Sequence, residues 1–495
     1  MIFDYRLIAV LLAFCCTGFT PSSLSATESA AEKQSPRPNI ILCMTDDQGW
    51  GETGFNGHPI LKTPHLDDMA ASGLRFDRFY AAAPVCSPTR GSFLTGRHPN
   101  RFACFSWGHT LRPQEVTVAE AVKSAGYTTG HFGKWHLGSV QANSPVSPGN
   151  SGFDEWVSSP NFYENDPWMS HNGVVEQLKG ESSRATVDAA LDFIKQADKQ
   201  EKPFLAVIWF GNPHTPHEAV SELKALYPKQ DASFQNYFGE ITGVDRAMGH
   251  LRRQLRDLGI AENTLLWFTS DNGPRPPRFK NEESRSQATG GLAGWKGNLW
   301  EGGIRVPSIV EWPAVIKKPE TTNVPCGTID IYPTVLQITG AKVSHQPHLD
   351  GVSLLPLMEG QMTARAHPMG FWTYPSKGHP KRSTQILLDL KEKQTPQQIN
   401  PKGPVPDADA SSLATHYSKE DLPGAAAWID GDYKLLKSVS KKGAPKYALY
   451  HLSQDKAEQQ DLSKEDPTRL KKMKAGLKGW QESVVDSLNG KDYAD

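Results

Sequence analysis

Asn39-Ile40-Ile41-Leu42-Cys43-Met44-Thr45-Asp46-Asp47 is an unbroken apolar run that stops abruptly in polar residues. A run with no alternation is the pattern of a parallel strand buried on both faces. The same grammar returns at Phe204-Leu205-Ala206-Val207-Ile208-Trp209-Phe210, ending in Asn212-Pro213-His214, and at Thr264-Leu265-Leu266-Trp267-Phe268, ending in Ser270-Asp271-Asn272-Gly273. Helical periodicity separates these runs over 116–125, 185–196 and 237–258; in the last, Ile241, Val244, Met248, Leu251 and Leu255 share one face. Strand and helix in alternation predict an α/β fold with a large doubly wound mixed sheet flanked by helices. Ligands of such sheets bind beyond the carboxyl ends of the strands, where Asp46, Asp47, His214, Asp271 and Asn272 would converge.

At 495 residues the chain exceeds a typical single core. Its texture changes near Ala366, so a catalytic domain over 37–365 and a C-terminal α+β subdomain over 366–495 are expected. The second part reads as an antiparallel sheet, with a hairpin over 426–436 and a strand over 447–452, followed by an amphipathic helix over 467–488. Lys471, Lys472, Lys474 and Lys478 of that helix read as a solvated face. The polar, proline-rich stretch 391–406 reads as a loop or insertion.

Charge is balanced, with 53 Lys+Arg against 54 Asp+Glu and no basic run, which excludes a phosphate-neutralising nucleic-acid partner. The apolar run 7–16, too short to span a bilayer, reads as part of a secretory signal over 1–26; Asp4 offsets Arg6, which leaves an uncleaved anchor open. No later stretch reads as a membrane span. Without the signal, Cys43, Cys86, Cys104 and Cys326 remain, enough for one bridge at most, with a Cys104–Cys326 pair left open. The chain lacks an Asn-x-Ser/Thr acceptor. That absence favours a bacterial exported protein, periplasmic or secreted.

Ala83-Pro84-Val85-Cys86-Ser87-Pro88-Thr89-Arg90-Gly91 places a cysteine at a helix start. Ser87 is expected as the N-cap and Pro88 in the first turn, which leaves Cys86 at an anion-attracting helix end with Arg90 as a fixed cation. A buried cysteine ahead of a capped helix is the plain alternative. Asp46-Asp47 and Asp271-Asn272 offer oxygen ligands for a hard divalent cation, Ca²⁺ in preference to Mg²⁺, although each pair alone serves equally as a turn or cap. Arg90, Lys134, His136, His214, His217 and Lys296 add cationic or proton-bearing groups. Together they suit a tetrahedral oxyanion ester.

Cys86-Ser87-Pro88-Thr89-Arg90, followed by Leu94-Thr95-Gly96-Arg97, resembles the Cys-x-Pro-x-Arg signature of the type I sulfatases of the alkaline phosphatase superfamily. Asp46 to Gly51, Thr63-Pro64-His65-Leu66-Asp67, Gly133-Lys134-Trp135-His136-Leu137-Gly138, Ser270 to Pro274 and Trp300-Glu301-Gly302-Gly303-Ile304-Arg305-Val306-Pro307 stand in that family's order. The resemblance implies that Cys86 is converted to Cα-formylglycine, by a formylglycine-generating or anaerobic sulfatase-maturating enzyme, and hydrolyses sulfuric esters. It further implies Ca²⁺ on Asp46, Asp47, Asp271 and Asn272 beside residue 86, with Arg90, Lys134, His136, His214 and Lys296 binding sulfate and moving protons. Arylsulfatases and N-acetylgalactosamine-6-sulfatases are the nearest pattern.

For the alcohol part of the substrate a sulfated carbohydrate is expected, met outside the cell. Trp107, His109, His217 and Trp295 are the candidate sugar contacts, each of which also reads as packing or loop support. Two rivals stay open: a phosphomonoester or phosphonate ester hydrolase of the same superfamily, and a non-catalytic sulfated-glycan-binding protein.

Overall fold

The computed structural model describes residues 37–379, 405–439 and 444–493. The signal expected over 1–26, and all but the last two residues of the 391–406 stretch, lie outside the described residues. Eleven strands make the large sheet: β1 (Asn39–Thr45), β2 (Leu74–Tyr80), β3 (Thr128–Lys134), β4 (Glu155–Ser159), β5 (Trp168–His171), β6 (Val174–Gln177), β7 (Phe204–Trp209), β8 (Thr264–Ser270), β9 (Arg305–Glu311), β10 (Glu320–Thr322) and β11 (Cys326–Gly327). Their spatial order is β10-β2-β9-β8-β1-β7-β3-β4-β5-β6, with β11 also paired to β2.

β1 lies between β7 and β8, parallel to both, with Ile40 opposite Leu205 and Leu265. Its side chains alternate between two cores. Ile40, Leu42 and Met44 join the core that holds Leu205, Val207, Trp209 and Trp267, while Ile41 and Cys43 join Ala206, Ile208 and Phe268 on the other face. An uninterrupted apolar run is therefore required here. Helices Ser182–Lys199 and Ala232–Asp257 cover the second face through Val187, Leu191, Ile194, Val244, Met248 and Leu251. Cys86–Thr95, Val118–Lys123 and Ile331–Thr339 cover the first. β9 runs antiparallel to both β8 and β2, and β5 antiparallel to β4 and β6, which makes the sheet mixed, as expected.

β12 (Met369–Trp372), β13 (Ala426–Asp430), β14 (Tyr433–Ser438) and β15 (Lys446–His451) form the small antiparallel sheet. Its two faces divide the labour. Trp372, Ala426, Leu435 and Leu449 pack under the helix Pro467–Leu488 through Met473, Leu477, Val484 and Val485. Phe371, Ala427, Ile429 and Leu436 pack on Tyr80, Ala82, Ile304 and Ile329. Lys471, Lys472, Lys474 and Lys478 are exposed, as a solvated face requires. Cys43, Cys86, Cys104 and Cys326 are all buried and free, so Cys104 and Cys326 are not bridged. No helix among the described residues is long and apolar enough to cross a membrane.

Candidate active site

The helix Cys86–Thr95 starts two residues earlier than its sequence suggested. Val85, extended at φ −150°, precedes it, and no side chain caps it. Ser87 is not the N-cap: its hydroxyl instead accepts the Gly108 N–H at 2.9 Å, which ties the 105–109 loop to the helix. Cys86 is thus the first helical residue, and Pro88 still occupies the first turn, where a missing N–H costs nothing. Uncapped N–H groups and the positive end of the helix dipole make this an anion-favouring place.

Four parallel strand ends meet it. Asp47, just past β1, adopts φ +66°, a conformation that costs a non-glycine residue energy and is retained by its surroundings. Its N–H donates to Asp271 Oδ1 at 3.1 Å, and Asn272 Nδ2 donates to Asp47 Oδ1 at 2.7 Å. Lys134, closing β3, places Nζ 2.6 Å from Asp46 Oδ2. Arg90 donates to Asp271 Oδ2 at 2.7 Å and to the Lys134 carbonyl at 3.1 Å, with its guanidinium 5.1 Å from the Trp209 ring. Lys296 grips both oxygens of Asp47, at 2.5 and 2.7 Å, and His214 Nε2 lies 3.7 Å from Asp47 Oδ2. Ligand atoms of Asp46, Cys86 and Asp271 fall within 4.8 Å of one another, as do those of Asp46, Asp47 and His214.

Three carboxylates packed this closely resist ionising together. Burial and the charge of Asp46 push Asp271 up to about 7. Burial also opposes ionisation of Asp46, but Lys134, His214 and Arg90 overcome it and hold that carboxyl far below its usual range. Asp46 Oδ1 and Asn272 Oδ1 are buried with no hydrogen-bond partner. Unpartnered inward-facing oxygens beside crowded carboxylates fit a hard divalent cation. Burial lowers His214 to about 4, which leaves its ring neutral at pH 7, with Nδ1 2.6 Å from the Thr215 carbonyl. His136, at φ +55°, is buried with neither ring nitrogen hydrogen-bonded, and burial holds it neutral. Burial likewise raises the Cys86 thiol, although Lys134 and Lys296 pull the other way.

Residues 38–341 match the family model described as Sulfatase. The chain belongs to the sulfatase family. It is 31% identical to the steryl-sulfatase of Rattus norvegicus over 69% of this chain and 74% of that one. To the N-acetylgalactosamine-6-sulfatase of Mus musculus it is 33% identical, over 69% and 70%. The crystal structure of Ps i-CgsB in complex with k-i-k-neocarrahexaose shares the fold at a TM-score of 0.73 and 24% identity, covering 92% of this chain and 97% of that one. This sulfatase is a sulfuric ester hydrolase.

Its expected sugar contacts are dispersed around the cluster. Trp107, partly exposed, and His109 lie on the loop tied to Ser87, and His109 stacks on His379 at 4.4 Å. His217 stands behind His214, with Nε2 3.1 Å from the Pro213 carbonyl and its ring 4.8 Å from that of Tyr237. Trp295 adjoins Lys296 in the chain and lies under Arg285. Sequence reasoning missed two supports, Trp209 beneath Arg90 and Glu52, which accepts the Gly49 N–H at 2.7 Å and the Tyr237 hydroxyl; Phe162 stacks on His214 at 4.8 Å. Burial raises Glu52 to about 8. A glutamate directly after the Asp46–Gly51 motif was the available signal.

Proposed function

We propose that this sulfatase removes sulfate from a sulfated carbohydrate outside the cell, with residue 86 matured to Cα-formylglycine and Ca²⁺ held by Asp46, Asp47, Asp271 and Asn272. The convergence of Asp46, Cys86 and Asp271 at one helix N-terminus carries this reading. Residue 86, once matured, would supply a hydrated aldehyde as nucleophile in place of a thiol that burial keeps protonated, and the cation would neutralise charge on the sulfuryl oxygens.

The chain's own residues have separable roles. Arg90, Lys134 and Lys296 balance Asp46, Asp47 and Asp271, so an added divalent cation leaves the cluster net positive, as an anionic ester requires. Lys296, which Asp47 keeps protonated against the effect of burial, is placed to give a proton to the departing alcohol, with the neutral His214 beside it. His136, buried and unpartnered, is placed to take the proton released as residue 86 is regenerated. Net, the ester O–S bond breaks, and water supplies an oxygen to sulfate and a hydrogen to the alcohol.

A carbohydrate substrate is supported by the N-acetylgalactosamine-6-sulfatase relative and by the aromatic and imidazole side chains around the cluster, and an exported enzyme needs a maturation partner before or during export. The domain division at 365/366 is part of the same proposal. Mass spectrometry of the peptide containing residue 86 tests the nucleophile, with loss of the thiol mass in favour of the aldehyde or its hydrate as the expected result. Cys86→Ala should abolish turnover and keep the fold. Full activity from a preparation whose Cys86 is entirely thiol would refute the mechanism.

A further inference from the structure

The loop that carries Lys296 has a second face. Behind it lies a concavity of about 580 Å³, walled by Arg285, Trp295, Asn298 and Trp300 on one side and by Ala457 and Gln459 on the other. The Arg285 guanidinium lies 4.8 Å from the Trp295 ring. Its Nη1 is held by the Phe279 and Lys280 carbonyls, each at 2.9 Å, while Nη2 and Nε take no hydrogen-bond partner among the described residues. With Nη1 occupied and the indole beside it, the guanidinium keeps Nε and Nη2 as donors, a pair that can receive a carboxylate or sulfate in bidentate fashion. Two indoles, meanwhile, offer apolar faces of the kind on which the C–H face of a pyranose packs.

Two carboxylates also border the space, and neither cancels that cation. Glu458 is committed to Lys434 at 2.9 Å and to the Glu301 N–H at 2.6 Å. Glu282 is exposed at the start of the helix Glu282–Thr289. Nothing lies within 4 Å of where a Gly291 side chain would begin, so the concavity is open on that side. Its volume suits one or two sugar rings. The same loop reaches the catalytic cluster: the Gly297 N–H donates to the Pro84 carbonyl at 2.9 Å, two residues before Cys86.

We infer that this concavity binds an anionic sugar residue of a glycan, as a site separate from the one that holds the scissile sulfate ester. The inference rests on the carbohydrate reading above. Trp295 and Trp300 form its apolar walls and Arg285 receives the sugar's charged group.

The test uses the full chain carrying Cys86→Ala, titrated calorimetrically with sulfated tetrasaccharides from chondroitin sulfate, heparin and carrageenan. Adding Arg285→Ala should weaken the best-bound tetrasaccharide tenfold or more. Ala457→Trp, which fills the space from the opposite wall and leaves the Arg285 loop intact, should do the same, with melting temperatures of both variants matching the parent. Unchanged affinity in both variants, or no binding of any tetrasaccharide to the parent, overturns the site. Sulfate release from the same tetrasaccharides by the unsubstituted enzyme decides the substrate reading independently. Release together with affinity indifferent to Arg285 and Ala457 removes only the accessory site, and no release from any of them removes only the carbohydrate substrate.

Discussion

Arg90 Nη2 sits 2.7 Å from Asp271 Oδ2, and both side chains are wholly buried. The same guanidinium donates to the Lys134 carbonyl and covers Trp209, so one planar group joins the Cys86 helix to the ends of β8, β3 and β7. Lysine can keep the charge but not the fork. Arg90→Lys should therefore lower kcat/KM by about 100-fold or more. Arg90→Ala should in addition cost about 3–5 kcal/mol, because Asp271 stays buried without its partner. Steady-state kinetics and urea unfolding check the pair, and near-normal turnover by the lysine variant would remove the fork from the chemistry.

Crowded carboxylates and two unpartnered oxygens make a different demand. Prolonged chelation should abolish sulfate release and lower the melting temperature, and Ca²⁺ should restore both better than Mg²⁺, whose smaller octahedral shell suits this carboxylate and amide set less well. At a free ion concentration 100 times the dissociation constant the stabilisation is about 2.7 kcal/mol. Asp271→Asn should retain part of the thermal shift while weakening Ca²⁺ affinity. An enzyme that melts and turns over identically after exhaustive chelation has no such ion.

What the sequence disclosed follows from how local each signal is. β1, β7 and β8 were legible because burial on both faces demands continuous apolar residues, and the helix Pro467–Leu488 because proline opens it and Asn489-Gly490 follows it. β3 was not legible. Gly130, His131, Gly133 and Lys134 interrupt its apolar character, yet the strand is buried, and Gly133, at φ +100°, leaves room that a Cβ would take from the Trp209 carbonyl, 1.9 Å away. The side chains proposed for catalysis stood out because each sits in a short motif. Their supports did not, because Trp209 under Arg90 and Tyr237 on Glu52 are partners only after folding. Ser87 misled for the same reason, since a distant N–H claimed its hydroxyl.

Lys434 of β14 is fully buried between Glu301 and Glu458, with Nζ 2.9 Å from each carboxylate. Burial disfavours its charge, but the two glutamates hold the ammonium protonated. The cluster joins the small sheet to the turn at Glu301, and that turn fixes the Lys296 loop through Gly302 N–H to the Ala293 carbonyl at 2.7 Å. Lys434→Met should cost about 3–5 kcal/mol, since Glu458 loses its cation in the interior and Glu301 keeps only the longer Arg305 contact at 3.5 Å. Neutralising all three, as Lys434→Met with Glu301→Gln and Glu458→Gln, should recover at least half of that loss. Denaturant unfolding of the two variants decides it, and equal stabilities would show that the uncompensated charge is not the cause.

His98 gives the fold a pH dependence whose sign can be worked out. Its ring is buried, with the Asn100 N–H 3.3 Å from Nδ1, the Trp372 N–H 3.2 Å from Nε2 and Trp480 packed edge-on. Burial lowers it to about 3, and the opposing pull of Asp350 does not offset this. Protonation would set N–H against N–H at both ring positions. Between the folded value and the ordinary value near 6.5, the unfolded chain binds a proton that the native chain does not. Stability from this group is therefore complete above about pH 6.5, falls by about 1.4 kcal/mol per pH unit on acidification, and is lost by about pH 3. His98→Asn should be less stable at pH 7 yet show a slope shallower by about one proton between pH 4 and 6. Unfolding free energies measured at pH steps test this, and a wild-type minus variant difference that stays constant from pH 4 to 7 would assign the acid sensitivity elsewhere.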